Sequence, residues 1–124
     1  PQRGLGDELA RASVAVVGGG VTLYEACRDG TPTVAVAIVP AQRPTIRAFV
    51  GAGATLDGGA AAAPTVGLVR VAHLVDQLIH APTRCRNMGK TGRALIDGRG
   101  AERVARALAT LVRVSCRSRR GARR

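Results

Sequence analysis

Thr22 and Glu25 stand three residues apart, directly behind Gly18-Gly19-Gly20, and these five residues carry the chemistry most readable in the chain. Before them runs Ser13-Val14-Ala15-Val16-Val17, a valine-rich stretch that reads as a buried strand. A strand that feeds a glycine turn and then a helix is a common way to hold phosphate. Glycines let the backbone approach a ligand closely. The first amides of a helix have no partner inside it, so they present N–H groups and a positive dipole end to an anion. The same residues also fit a purely local role. Thr22-x-x-Glu25 has the spacing of a capping box, in which each side chain bonds the other residue's amide.

Other residues with chemical potential are fewer. His73 and His80 fall on one predicted helix, two turns apart, which is roughly 10 Å along the axis and too far for one metal ion. No metal site and no cofactor is expected. Cys27, Cys85 and Cys116 are odd in number, widely spaced and without a CxxC pair. They read as reduced thiols of a cytoplasmic protein, with Cys27 in the core.

The elements that must position the glycine turn follow from pattern. Leu5–Ala12 is predicted as a helix, with Asp7 and Glu8 near its start. Val14–Val17 is the first strand and Leu23–Asp29 the next helix, with Gly30 as its left-handed cap and Pro32 behind it. Thr33–Val39 is a continuous β-branched run of the kind buried on both faces. Strand, helix and strand within so few residues make a βαβ unit with parallel strands. The loop Pro40–Arg43 then leaves the carboxyl end of the second strand, where ligands of such sheets sit. Gln42 is therefore expected on the same edge as the glycine turn.

Pro44 suits a helix start, and Ile46, Phe49 and Val50 share one face of that helix. Ala54-Thr55-Leu56 reads as a short third strand and Asp57–Thr65 as a loop. Leu68, Val71, Ala72, Val75, Leu78 and Ile79 form the stripe of an amphipathic helix. Cys85–Ile96 is a helix softened by Gly89 and Gly92. Asp97–Gly100 is a turn. The last helix, from Ala101 to about Val112, should turn Ala101, Val104, Ala105, Leu108 and Leu111 inward. The fold class is α/β, a Rossmann-like parallel sheet flanked by helices, in a domain spanning residues 1–112. Residues 113–124 form an arginine-rich tail expected to be disordered.

The 124 residues carry one Phe, one Tyr and no Trp, so the core is built from small aliphatic side chains. No apolar run reaches the roughly 20 residues of a membrane span. The net charge of +11 is uneven. Residues 1–80 hold six basic and six acidic side chains, and residues 81–124 hold thirteen and two. The arginines would attract nucleic acid weakly and without sequence preference. Specific recognition usually needs aromatics among the basic residues, and they are missing. A membrane-surface role for the tail meets the objection that the tail shows no apolar face.

Gly19-Gly20-Val21-Thr22-Leu23-Tyr24-Glu25, Gly30-Thr31-Pro32-Thr33-Val34, Gln42 and Ala52-Gly53-Ala54 together resemble the C-terminal domain of GT-B sugar-nucleotide enzymes. That family includes the MurG-type N-acetylglucosaminyltransferases. The run from Gly92 to Val104, with Asp97-Gly98-Arg99-Gly100 in it, is more similar to one branch. That branch holds the UDP-sugar hydrolase of pseudaminic acid synthesis and its spore-coat polysaccharide relatives. The resemblance covers about residues 7 to 110.

The resemblance implies a UDP-sugar as ligand. Gly18, Gly19, Gly20 and Thr22 would face the diphosphate, Glu25 the ribose hydroxyls, and Gln42 the sugar or the distal phosphate. It implies a second, N-terminal domain as partner, which in the hydrolase branch supplies the catalytic base; no catalytic residue is assigned within this chain. Hydrolysis and glycosyl transfer need the same grip on UDP, and the Asp-Gly-Arg-Gly run favours hydrolysis. Two readings of other classes stand beside it. One is a basic nucleic-acid-binding module. The other is a remnant interaction module, self-associating at an uncovered sheet edge.

Overall fold

The computed structural model describes residues 5–61 and 64–121; among these, the side chains of 64–66 and 113–121 lie outside the description. The elements run in the order α1 (Gly6–Arg11), β1 (Ala15–Gly18), α2 (Val21–Asp29), β2 (Thr33–Ala37), a 3-10 turn (Pro40–Gln42), α3 (Arg43–Gly51), β3 (Leu56–Ala60), α4 (Pro64–Ile79), α5 (Pro82–Leu95) and α6 (Gly100–Gly121). The three strands form one parallel sheet in the order β1-β2-β3. The α/β architecture read from the pattern is the one observed.

Alternation along the strands divides the core into two layers. Val17, Ala35 and Ala37 point to one face, where Leu9 of α1, Leu23, Ala26 and Cys27 of α2, and Ile46 and Phe49 of α3 close over them. Val34 points to the other face and meets Leu78 of α4 and Met88 of α5. The small strand residues let the first layer of helices approach closely, as a core poor in aromatics requires. Tyr24 and Phe49 join α2 to α3 edge to face, with ring centroids 5.1 Å apart.

The buried polar side chains are paired, so their burial carries little cost. The Thr33 hydroxyl donates to the Thr55 hydroxyl at 2.7 Å, and that hydroxyl donates to the Thr33 carbonyl at 3.0 Å. The Thr31 hydroxyl donates to the Leu9 carbonyl at 2.8 Å and ties α1 to the end of α2.

Several expectations are corrected. The third strand is Leu56–Ala60 rather than Ala54–Leu56, and its Leu-Asp-Gly-Gly-Ala sequence occupies part of the predicted loop. β2 ends at Ala37, leaving Ile38 and Val39 exposed. On α4 the inward residues are Val71, Leu74, Val75 and Leu78, while Leu68 and Ile79 are exposed. Gly89 and Gly92 do not soften α5. They are buried, and they let α5 lie directly on the backbone of Gly30 and Cys27.

The last helix passes the expected end at Val112 and runs to Gly121, into the stretch whose composition reads as disordered. Its predicted inward residues point outward: Val104 is 60% exposed, Leu108 57% and Leu111 63%. Periodicity identified the apolar stripe correctly but could not show whether another element covers it.

Cys27 is fully buried, and burial pushes its thiol up to about 11. The thiolate is the reacting species, so Cys27 should ignore a disulfide reagent at neutral pH until denaturant is added. Cys85 is half-buried, and its thiol donates to the Leu78 carbonyl at 3.2 Å. Thiol titration of the native and denatured chain checks this; fast modification of Cys27 in the native state would contradict the packing of α2.

Candidate functional site

The site is assembled at the carboxyl ends of the parallel strands. β1 ends at Gly18, which pairs with Val36. The Gly19 amide donates to the Val36 carbonyl at 3.2 Å, so this amide is committed to the sheet. Gly19 is buried beneath α3. A Cβ on it would stand 2.7 Å from the buried Ile46 side chain and 3.0 Å from the Gln42 Cβ. Its lack of a side chain thus serves the close approach of the turn to α3.

Gly20 has a different position. It is the N-cap of α2, in extended conformation at φ −100° and ψ −150°, and its carbonyl accepts the first helical bond from Leu23. No side chain caps this end. Val21 is the first helical residue and Thr22 the second, so Thr22 stands two places past the cap. The capping box allowed by the Thr22–Glu25 spacing is therefore not formed. In this geometry the Leu23 amide is taken by the Gly20 carbonyl, and the amides of Val21 and Thr22 ahead of it have no partner within the helix. Thr22 and Glu25 are both half-buried, one turn apart.

Gln42 is brought to the same place from the second loop, as expected from the parallel topology. The Ile38 amide donates to Gln42 Oε1 at 2.9 Å. That bond holds the side-chain carbonyl and turns the amide group toward the glycine turn. A Cβ on Gly20 would lie 3.5 Å from Gln42 Nε2. An N–H donor of the side chain thus stands beside the uncapped end of α2. The two together make a place for a negatively charged group, held by neutral donors and a helix dipole.

The sequence reading missed Arg43. It opens α3 directly after Gln42 and borders a cavity of about 200 Å³ with Ile38, Val39 and Pro40. The signal was present as the only cation of the loop that carries Gln42, and it brings a charge to the same sheet edge.

Other singled-out residues lie elsewhere. Asp97-Gly98-Arg99-Gly100 sits at the far end of α2, where Gly98 packs against Arg28. Asp97 accepts from the Arg99 amide at 2.9 Å and from Arg103 at 2.7 Å. The Arg103 bond is the first cause holding the Asp97 carboxyl below its ordinary range. The run is thus a turn that starts α6. His73 bonds Gln77 within α4, and His80, the residue after that helix, bonds back to Asp76. Among the described residues, no three His, Cys, Asp or Glu side chains gather as a metal set, and no helix is long and apolar enough to cross a membrane.

No family model matches the chain, and no solved structure matches it. It is similar to the spore coat polysaccharide biosynthesis protein SpsG of Bacillus subtilis (strain 168), with 32% identity over 97 residues. That alignment takes in 77% of this chain and 28% of the relative, so the chain spans little more than a quarter of the length of the protein it matches.

Proposed function

We propose that this chain is the diphosphate-holding part of a cytoplasmic sugar-nucleotide enzyme of surface polysaccharide biosynthesis. The observation that carries the reading is the meeting of Gln42 Nε2 with the uncapped N-terminus of α2 at the carboxyl edge of the sheet. The likeness to the spore coat polysaccharide protein supports the biosynthetic setting.

In this reading the first amides of α2 and the Gln42 amide take the diphosphate of a UDP-sugar. They stabilise the negative charge that grows on UDP as the bond to the sugar breaks, without need of a metal. Glu25, one turn further in, accepts hydrogen bonds from two ribose hydroxyls, as an ionised carboxylate can. Arg43 adds positive charge at the distal side. The attacking group, water in a hydrolase or an acceptor in a MurG-like transferase, comes from outside this chain, together with the base that activates it. Hydrolysis is the first reading because of the Asp-Gly-Arg-Gly resemblance, and transfer is the second.

Calorimetric titration of UDP into the chain tests the proposal. Binding is expected, and Glu25→Ala should weaken UDP about tenfold while leaving pyrophosphate binding unchanged, since the lost bonds are to ribose. A folded sample that binds neither UDP nor pyrophosphate would remove the proposal. Equal loss of both ligands in Glu25→Ala would remove the ribose role.

A further inference from the structure

Arg43 and Arg47 stand one turn apart at the start of α3, and the chain gives neither of them an acid. All eight acidic side chains lie among the described residues. Asp29, Asp76 and Asp97 are engaged by Arg28, His80 and Arg103, and Glu102 by Arg99 and Arg106. None of the eight forms an ion pair with Arg43 or Arg47. Arg47 is exposed, so water serves it. Arg43 is half-buried and has given up part of its water without gaining an ion-pair partner.

What surrounds Arg43 is a place for a ring. The cavity of about 200 Å³ that it borders is walled by Ala37, Ile38, Val39 and Pro40 at the end of β2 and by Ala60 at the end of β3. Such aliphatic walls suit the C–H face of a sugar. A recess of about 10 Å³, the size of one water, shares Ala37 and Arg43 with that cavity and is lined further by Ile46, Arg47, Asp57 and Gly59. One oxygen of Asp57 accepts from the Gly59 amide at 2.8 Å. Two cations and one carboxylate leave this corner with a net positive charge. The diphosphate is assigned to the first turn of α2, which follows β1, whereas the cavity lies at the ends of β2 and β3. Gly18 in β1 and Ala60 in β3 are two strand spacings apart, about 10 Å. A diphosphate anchored on α2 therefore places its sugar, not its second phosphate, against Arg43.

We propose that the sugar of the bound nucleotide is a uronic acid, and that Arg43 determines this specificity by pairing with its carboxylate. The inference rests on the proposed function and names the substrate class of that site. A guanidinium and a carboxylate are both planar and meet through two parallel hydrogen bonds. A neutral sugar would cover Arg43 further and leave its charge without a partner, which weakens binding. Arg47, one turn away, adds to the potential that favours an anion there.

Calorimetric titration of the full chain with UDP, UDP-glucose and UDP-glucuronic acid tests the inference. The two sugar nucleotides differ only in carrying a hydroxymethyl group or a carboxylate on the same ring carbon. UDP-glucuronic acid should bind about tenfold tighter than UDP-glucose. Arg43→Gln keeps a polar side chain at a half-buried position, so folding should persist, with circular dichroism as the control. It should abolish the preference. If UDP binds but the two sugar nucleotides bind equally well to the wild-type chain, the inference falls and the proposed function stands. A preference that survives in folded Arg43→Gln also overturns it, since the carboxylate would then be read elsewhere. So does an equal loss of UDP and both sugar nucleotides in that variant, which would put Arg43 on the diphosphate. Absence of UDP binding by the wild-type chain would remove the proposed function itself, and this inference with it.

Discussion

Gly89→Val should cost more than about 3 kcal/mol of stability and leave little folded protein at room temperature in mild denaturant. Gly89 faces the end of α2 from the middle of α5. A Cβ built there runs into the Gly30 carbonyl oxygen, with the Gly30 carbonyl carbon at 3.3 Å and Cα at 3.6 Å behind it. These are backbone atoms, and Gly30 is held in the left-handed conformation at φ 73° as the cap of α2. Neither partner can rotate away, so α5 must lift off α2. That movement also opens the contact of Gly92 with Cys27 and pulls Met88 from the second core layer. Replacing a helical glycine ordinarily gains up to about 1 kcal/mol from backbone entropy, and here steric overlap exceeds that gain. Gly51→Ala provides the contrast. Gly51 is the last residue of α3 and nothing lies within 4 Å of a Cβ there, so the substitution should be neutral or stabilising. Urea unfolding of both variants decides the matter. A Gly89→Val protein as stable as the wild type would mean that α2 and α5 are not in backbone contact.

Gly20→Asp should reduce UDP binding about a hundredfold while leaving the Tm unchanged or higher. The two effects oppose each other for one reason. Gly20 occupies the N-cap in an extended conformation open to any residue, and a new Cβ meets only Gln42 Nε2, at an ordinary 3.5 Å. Aspartate is among the best N-cap residues, so it should supply the side-chain cap that α2 lacks. In doing so it takes the amides and dipole end assigned to the diphosphate, and it places a negative charge beside two more. Thermal melting read together with calorimetry separates this from general damage. Retained UDP affinity in Gly20→Asp would move the diphosphate away from α2 and undo the proposed function, whatever happened to stability.

The glycine turn, the Gln42 loop and the Gly30 cap were legible because each depends on local rules. A β-branched run, a glycine requirement and a parallel βαβ connection together place two loops on one sheet edge. The partition of work inside the site was not legible. Gly19 and Gly20 are identical in sequence, yet one is packed under Ile46 with its amide in the sheet, and the other is the open cap of the helix. The spacing of Thr22 and Glu25 suits a capping box, but Gly20 takes the cap position and shifts both residues into the helix.

Sequence by itself determined the α/β class, the order of its elements, the buried face of α2, the burial of the central strand β2 and the amphipathic character of the last helix, whereas Val16 leaves one side of β1 exposed. These are matters of period, propensity and turn chemistry, which act over a few residues. Tertiary structure alone decided the rest. Leu56–Ala60 is a strand because β2 offers it a hydrogen-bonding edge, although glycine and aspartate disfavour strands. Gly89 and Gly92 are contacts rather than flexible points because α2 lies against them. The stripe of α6 faces outward because no described element lies over it, and a helical pattern records which side is apolar without recording what, if anything, stands opposite.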